Sequence, residues 1–183
     1  MRVIAGQHRG LKLAEVGAGD VVAHLRPTSD RVRETLFNIL RNHGAPGPDS
    51  RVLDLFAGTG ALGIEALSRG AAHATFVDDG KVAQRLIRDN IGRARRAADA
   101  TLLTCAAARL PLAPAPCDLI FLDPPYGQNL GGPALDVAQK RGWIAPAALI
   151  VWEENAAQPP LAGLTLVDQR RYGDTWMTLL RAD

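Results

Sequence analysis

The chain has 183 residues, 47% of them hydrophobic, which suits one domain with a real core and a small extension and excludes a disordered chain. No apolar run approaches the length of a membrane span, and Met1-Arg2-Val3-Ile4 is not followed by the apolar core of a secretion signal. The net charge of +2 is unevenly spread: residues 1–41 hold seven basic against four acidic residues, a balance that suits a polyanionic partner and equally a solvated surface.

In chain order, Arg2-Val3-Ile4-Ala5-Gly6 and Lys12-Leu13-Ala14-Glu15-Val16 flank the turn residues Gln7-His8-Arg9-Gly10 and predict a short basic β-hairpin. Leu25-Arg26-Pro27-Thr28-Ser29-Asp30 reads as an extended stretch that caps a helix. Thr28 or Ser29 is the N-cap, and Val32, Leu36, Phe37, Ile39 and Leu40 form the apolar stripe. Asn42-His43-Gly44 ends that helix, and Ala45-Pro46-Gly47-Pro48-Asp49 is a linker. The division expected is therefore an N-terminal hairpin and helix over 1–45 and a main domain over 46–183.

From Arg51 onward strands (51–56, 73–78, 100–105, 117–122 and 147–153) alternate with helices (60–69, 80–97 and 131–141), which predicts a parallel sheet covered on both faces. Residues 164–168 and 176–180 read as two strands joined through 170–174, so the sheet should finish antiparallel. The Ala/Pro-rich stretch from Ala106 to Pro116 reads as a loop. The arginines of the 80–97 helix read as a solvated face. Cys105 and Cys117 are too few for a disulfide framework and read as buried thiols of a cytosolic protein. The four histidines show no metal-ligand spacing, so no metal is expected.

Two motifs carry chemistry. Arg51 to Phe56 is a buried strand that runs into Ala57-Gly58-Thr59-Gly60 and then a helix start, where glycines let a ligand approach the backbone closely. Asp78 ends the next strand and is placed for ribose hydroxyls. Such a turn alone often serves only to pack a helix on a strand. The second motif, Asp123-Pro124-Pro125-Tyr126, follows the apolar run Leu119 to Leu122. Asp123 and the Pro124 carbonyl can each accept a hydrogen from an exocyclic amine, and Tyr126 can stack on its ring. The prolines offer the amine no competing donor. A proline-rich turn would explain the tetrapeptide alone equally well.

Four segments together are similar to the RsmD family of bacterial 16S rRNA guanine-N2 methyltransferases: Arg2 to Gly6 with Arg9-Gly10, Leu25 to Asn38, Asp54 to Arg69, and Asp123 to Tyr126. The resemblance implies a Rossmann-like class I fold with a seven-stranded, mostly parallel sheet, S-adenosylmethionine as methyl donor, and guanine 966 of 16S rRNA as acceptor during small-subunit assembly. It places the donor on Asp54, Phe56, Ala57, Gly58, Thr59 and Gly60. Its ribose falls on Asp78, with Asp79 as second choice, its adenine lies near Ala106 and Ala107, and its methyl end lies beside Asp123. Asp123, Pro124 and Tyr126 become the catalytic set. Arg2, Arg9, Arg26, Thr28, Arg31 and Arg33 become the RNA-binding set, with an ion pair between Arg33 and Glu34 as the structural alternative. A cytoplasmic monomer acting on 16S rRNA or a partly assembled small subunit is expected. The chain departs from the family pattern at Gly80, where an acid is usual, and at Cys105-Ala106-Ala107, which offers adenine only backbone and small side chains. The rival readings are an amino-methyltransferase acting on DNA adenine N6 or a protein glutamine, a NAD-dependent oxidoreductase, and a non-catalytic RNA-binding module.

Overall fold

The structure, a computed structural model, describes residues 1–16 and 29–183. Arg26 and Thr28 lie outside the described residues. Ser29 opens α1 (Asp30–Asn42), its hydroxyl accepting from the Val32 N–H at 3.3 Å, with Asp30 favourably placed in the first turn. Then follow β1 (Arg51–Leu55), α2 (Ala61–Ser68), β2 (His73–Val77), α3 (Lys81–Arg93), β3 (Ala100–Leu103), β4 (Cys117–Leu122), α4 (Gly131–Lys140), β5 (Ile144–Glu154), β6 (Leu164–Tyr172) and β7 (Thr175–Ala182).

The strands form one seven-stranded sheet in the order β3-β2-β1-β4-β5-β7-β6. The first five are parallel, and β7 runs antiparallel to both β5 and β6. The alternation predicts this mostly parallel sheet with its closing hairpin, and the resemblance implies its Rossmann-like, seven-stranded form. β1 sits between β2 and β4, so the chain reverses its direction of winding beside β1. In open α/β sheets the crevice beyond the carboxyl ends of the strands at such a point is where ligands bind.

Strand alternation sorts the core into two layers. Val52, Phe76, Leu119, Phe121, Leu149, Val151, Met177 and Leu179 face α1, α2 and α3, with Val3 and Leu13 of the N-terminal arm in the same layer. Leu53, Leu55, Ile120, Leu122, Ile150, Trp152 and Leu180 face α4 and the loop before β4. Phe37 of α1 meets Phe121 with ring centroids 5.7 Å apart, which brings α1 against the sheet beside β4.

The N-terminal segment forms less of a hairpin than expected. Arg2 bridges Lys12, but Ile4 and Ala5 donate to the Glu65 carboxylate (2.7 and 3.1 Å), Gln7 to the Ser68 carbonyl and His8 to the Ser68 hydroxyl. Backbone donors that a longer hairpin would use are taken by α2. Gly6 makes this approach possible: at φ +83° a Cβ there would stand 1.9 Å from the Ser68 carbonyl oxygen.

Two boundaries also differ. α3 ends at Arg93 instead of 97, because Arg95 turns to positive φ and Arg96 swings back to the Leu67 and Ala71 carbonyls. The last hairpin is longer than expected and turns at Gly173-Asp174. Among the described residues no helix is long and apolar enough to cross a membrane.

Candidate active site

The glycine turn begins where β1 ends. Phe56, Gly58 and Gly60 all have positive φ (58°, 57° and 76°), so the chain doubles back tightly before α2. For Phe56, with a Cβ, that conformation is strained, and strain of this kind concentrates at ligand sites. Gly60 is packed closely as well: a Cβ there would press on the Phe76 and Ile87 side chains at 3.3 and 3.4 Å.

Three carboxylates mark the tips of adjacent strands. Asp78, just beyond β2, accepts from the Gly58 N–H and the Gly80 N–H, both at 2.9 Å. One acid thus ties the glycine turn to the start of α3. Burial pushes its carboxyl above the ordinary range and Asp79 adds to this, while the two N–H donors work the other way. Asp79 itself is exposed.

Asp54 of β1 is only 2% exposed and accepts from the Gly63 N–H in α2 at 2.9 Å. Burial raises it to about 8, with the Asp78 charge raising it further and the Gly63 bond opposing. Its described contact is thus with α2 behind the glycine turn. Asp123, one residue past β4, is half-buried, and its N–H reaches the Leu55 carbonyl of β1 at 3.4 Å.

The turn itself is closed by backbone bonds from Ala57 to Val77 and from Gly60 to Ala57. Ala106 is half-buried after β3, whereas Ala107 is buried beside Leu110 and Cys117. The Asp123–Tyr126 loop is anchored at its far end. The Tyr126 hydroxyl donates to Glu153 at 3.1 Å and lies 2.9 Å from the Thr175 hydroxyl. The Gly127 N–H reaches Glu154 at 3.4 Å.

Of the RNA-binding set, Arg2, Arg9 and Arg31 are exposed. The turn carrying Arg9 is bonded to Ser68, in the last turn of α2, so a helix length of about 12 Å separates it from the glycine turn. Arg33 requires correction. Its side chain is completely buried, donates to the Arg2 carbonyl, and pairs with Asp30 at 2.9 Å, not with Glu34. Burial lowers its pKa against the Asp30 charge. A guanidinium enclosed in this way cannot receive a phosphate and instead fastens the arm to α1.

Three groups important to this geometry were missed in the sequence. Asn90 of α3 is fully buried and donates to the Thr59 carbonyl (2.9 Å) and the Ala14 carbonyl (3.2 Å) while accepting from the Ala14 N–H (2.6 Å). Its signal was a polar residue inside the apolar stripe Leu86-Ile87-Ile91. Glu65, the one acid in an otherwise apolar α2, and the pair Glu153-Glu154 closing a buried strand carried signals of the same kind.

A sequence model of the family described as Conserved hypothetical protein 95 matches residues 1–181. Ribosomal RNA small subunit methyltransferase D of Escherichia coli (strain K12) is 41% identical over 157 residues, spanning 85% of this chain and 75% of that protein. The chain belongs to the RsmD family. The Haemophilus influenzae protein of the same name is 35% identical over 163 residues, 87% of this chain and 81% of its own. Among solved structures, YhhF of Escherichia coli superposes with a TM-score of 0.85 at 34% identity, over 100% of this chain and 98% of that one. The seven-stranded sheet of this chain is therefore the Rossmann-like methyltransferase sheet.

Proposed function

We propose that this RsmD-family chain transfers the methyl group of S-adenosylmethionine to the exocyclic N2 of a guanine in 16S rRNA, guanine 966 by resemblance, in naked RNA or a partly assembled small subunit. We place it in the cytoplasm as a monomer. One observation carries the reading: β2, β1 and β4, adjacent in the sheet, bring Asp78, the glycine turn and Asp123 together at one edge, linked by the Gly58–Asp78 and Asp123–Leu55 bonds.

The residues present fit the donor. Asp78 uses one lone pair of each oxygen on a backbone N–H and keeps the others for ribose hydroxyls. The positive-φ glycines leave the backbone of the turn open to close approach. Ala106, half-buried after β3, leaves space for adenine without a side-chain hydrogen bond, whereas the Ala107 side chain packs into the core. Asp54 acts behind the turn by holding Gly63. S-adenosylmethionine, when bound, supplies a methyl group already activated by a positive sulfur.

The protein's contribution is then alignment and charge stabilisation. Asp123 and the Pro124 carbonyl accept the two hydrogens of the guanine amine and draw the nitrogen lone pair out of conjugation with the ring. The Asp123 carboxylate also offsets the positive charge that develops on that nitrogen, which is discharged when one amine proton passes to Asp123 or to water. A base must leave its stack to be reached in this way, and Tyr126 provides the face on which it rests. A nicotinamide dinucleotide could use the glycine turn and Asp78, but it would give the Asp123–Tyr126 loop no role.

The test is transfer from labelled S-adenosylmethionine to RNA, DNA and protein, followed by mapping of methylated guanines in 16S rRNA from cells lacking the gene. Label in RNA and loss of one N2-methylguanine are expected. Label only in DNA or protein, or an unchanged rRNA map, overturns the reading.

A further inference from the structure

Beyond the Asp123–Tyr126 loop, the far side of the site is built by residues that the methylation reading leaves without a role. Strand alternation puts Asp123 on the face of Phe121, Glu153 on that of Val151, and Thr175 on that of Met177. All three therefore project toward the α1 side of the sheet, at neighbouring ends of β4, β5 and β7. The Tyr126 hydroxyl lies between the last two, 3.1 Å from Glu153 Oε1 and 2.9 Å from Thr175 Oγ1.

The direction of this chain follows from what each group can do. An ionised carboxylate only accepts, so the tyrosine proton goes to Glu153. The tyrosine oxygen then accepts from Thr175, whose hydroxyl is the donor. Glu153 is 7% exposed, so its bond is largely shielded from water. Glu154, the next residue, accepts from the Gly127 and Asn155 N–H groups, so the same strand end also holds the residue that follows the tyrosine.

We propose that Glu153 and Thr175 are positioning residues that fix the Tyr126 ring through its hydroxyl, setting the plane on which the target base is presented to Asp123. This rests on the reading of Tyr126 as the platform of the acceptor base. A ring held only by packing can swing about its first side-chain torsion, which two hydrogen bonds at the para oxygen prevent, and because the phenolic O–H and the accepting lone pair both favour the ring plane, the same two bonds restrict rotation about the second. A base stacked on a tilted ring would bring its amine out of line with the methyl donor, and small misalignments are costly in rate.

The experiment uses the full chain with Thr175→Val, Thr175→Ser, Glu153→Met and Tyr126→Phe, plus Glu153→Met in the Tyr126→Phe background. Steady-state methylation of RNA is measured alongside S-adenosylhomocysteine affinity, the latter reporting that each variant is folded. Thr175→Val and Glu153→Met are expected to lower kcat about tenfold with the RNA KM and S-adenosylhomocysteine affinity little changed. Thr175→Ser, which keeps the donor, restores the rate. In the Tyr126→Phe background, Glu153→Met costs little more, because the hydroxyl it would hold is already gone.

An equal loss in both backgrounds, or Thr175→Ser behaving like Thr175→Val, overturns the proposal. The Tyr126 ring-carbon resonance next to oxygen, assigned by Tyr126→Phe, is followed in the free protein. It shifts in Thr175→Val and Glu153→Met if the chain exists, and an unmoved resonance refutes it. If the wild-type protein methylates no RNA, the methylation reading fails while this spectroscopic result still decides the hydroxyl chain.

Discussion

Asp54 and Asp123 are carboxylates on adjacent strands with opposite surroundings. Asp54 is almost wholly enclosed and raised to about 8, whereas Asp123 is half-buried at the open edge of the sheet. For Asp123 the expected result of Asp123→Ala is retained S-adenosylhomocysteine binding by calorimetry with methylation lower by about 100-fold or more, the range seen when one electrostatic partner of a transition state is removed. Unchanged turnover would remove it from the chemistry. For Asp54 the expected result concerns stability. A carboxyl raised on folding contributes stability that is complete below the unfolded value of about 3.9 and is lost as pH rises through about 8. Asp54→Asn keeps an acceptor for the Gly63 N–H and removes the titration. Melting curves should therefore show the variant more stable than wild type by several degrees at pH 9, with the gap narrowing steadily as pH falls toward about 4. A difference that does not grow with pH would mean that Asp54 stays ionised, and so partnered, in the folded protein.

Among the elements, α3 does more than cover the sheet. On its buried face Ile87 and Ile91 share the core layer of Phe76, Ile87 lies beside Gly60, and Asn90 joins the glycine turn to the N-terminal arm. Asn90→Leu would leave the Thr59 carbonyl and both Ala14 backbone groups without this partner. A loss of about 2–4 kcal/mol in denaturant unfolding is expected, since an unsatisfied buried polar group costs about 1–3 kcal/mol. S-adenosylhomocysteine affinity should fall with it, because Thr59 is part of the turn. Arg93→Ala removes an exposed tether to the Lys12 carbonyl and should change stability by less than about 0.5 kcal/mol. Equal effects would show that the arm is held by packing alone. The same contrast explains what was legible in the sequence. Short apolar runs ending in an acid announced β1, β2 and β4 with Asp54, Asp78 and Asp123, because those signals are local. Asn90 to Ala14 and Glu65 to Ile4 join residues 76 and 61 positions apart, and no local pattern names the partner of a buried polar group. Arg33 was misassigned for the same reason: the resemblance grouped it with Arg26, Thr28 and Arg31 as a phosphate contact, while the fold encloses it against Arg2 and Asp30.

At the scale of the whole molecule, a net charge of +2 is too small to attract RNA by itself, so affinity must come from where the cations sit. Arg2 and Arg31 flank Asp30 at the start of α1, with Arg2 70% exposed in its side chain and 3.8 Å from Asp30. That pair is too open to the solvent to hold Arg2 firmly, leaving it available to a phosphate. Arg9 stands apart, at the end of α2 remote from the glycine turn. The expected footprint of the RNA is therefore the α1 corner. Arg2→Ala and Arg31→Ala should each weaken RNA binding and flatten the plot of log affinity against log salt by about 0.7, the value for one phosphate of a single strand. Arg9→Ala should leave the slope unchanged if the RNA stays on that corner, and a fall of the same size would extend the footprint along α2. Arg33→Ala should behave differently from all three. Removing a buried guanidinium unfastens the arm from α1, so melting temperature should fall, while the salt slope of the protein that remains folded should not move. A changed slope with an unchanged melting temperature would mean that Arg33 meets the RNA after all, and that the corner opens when RNA binds.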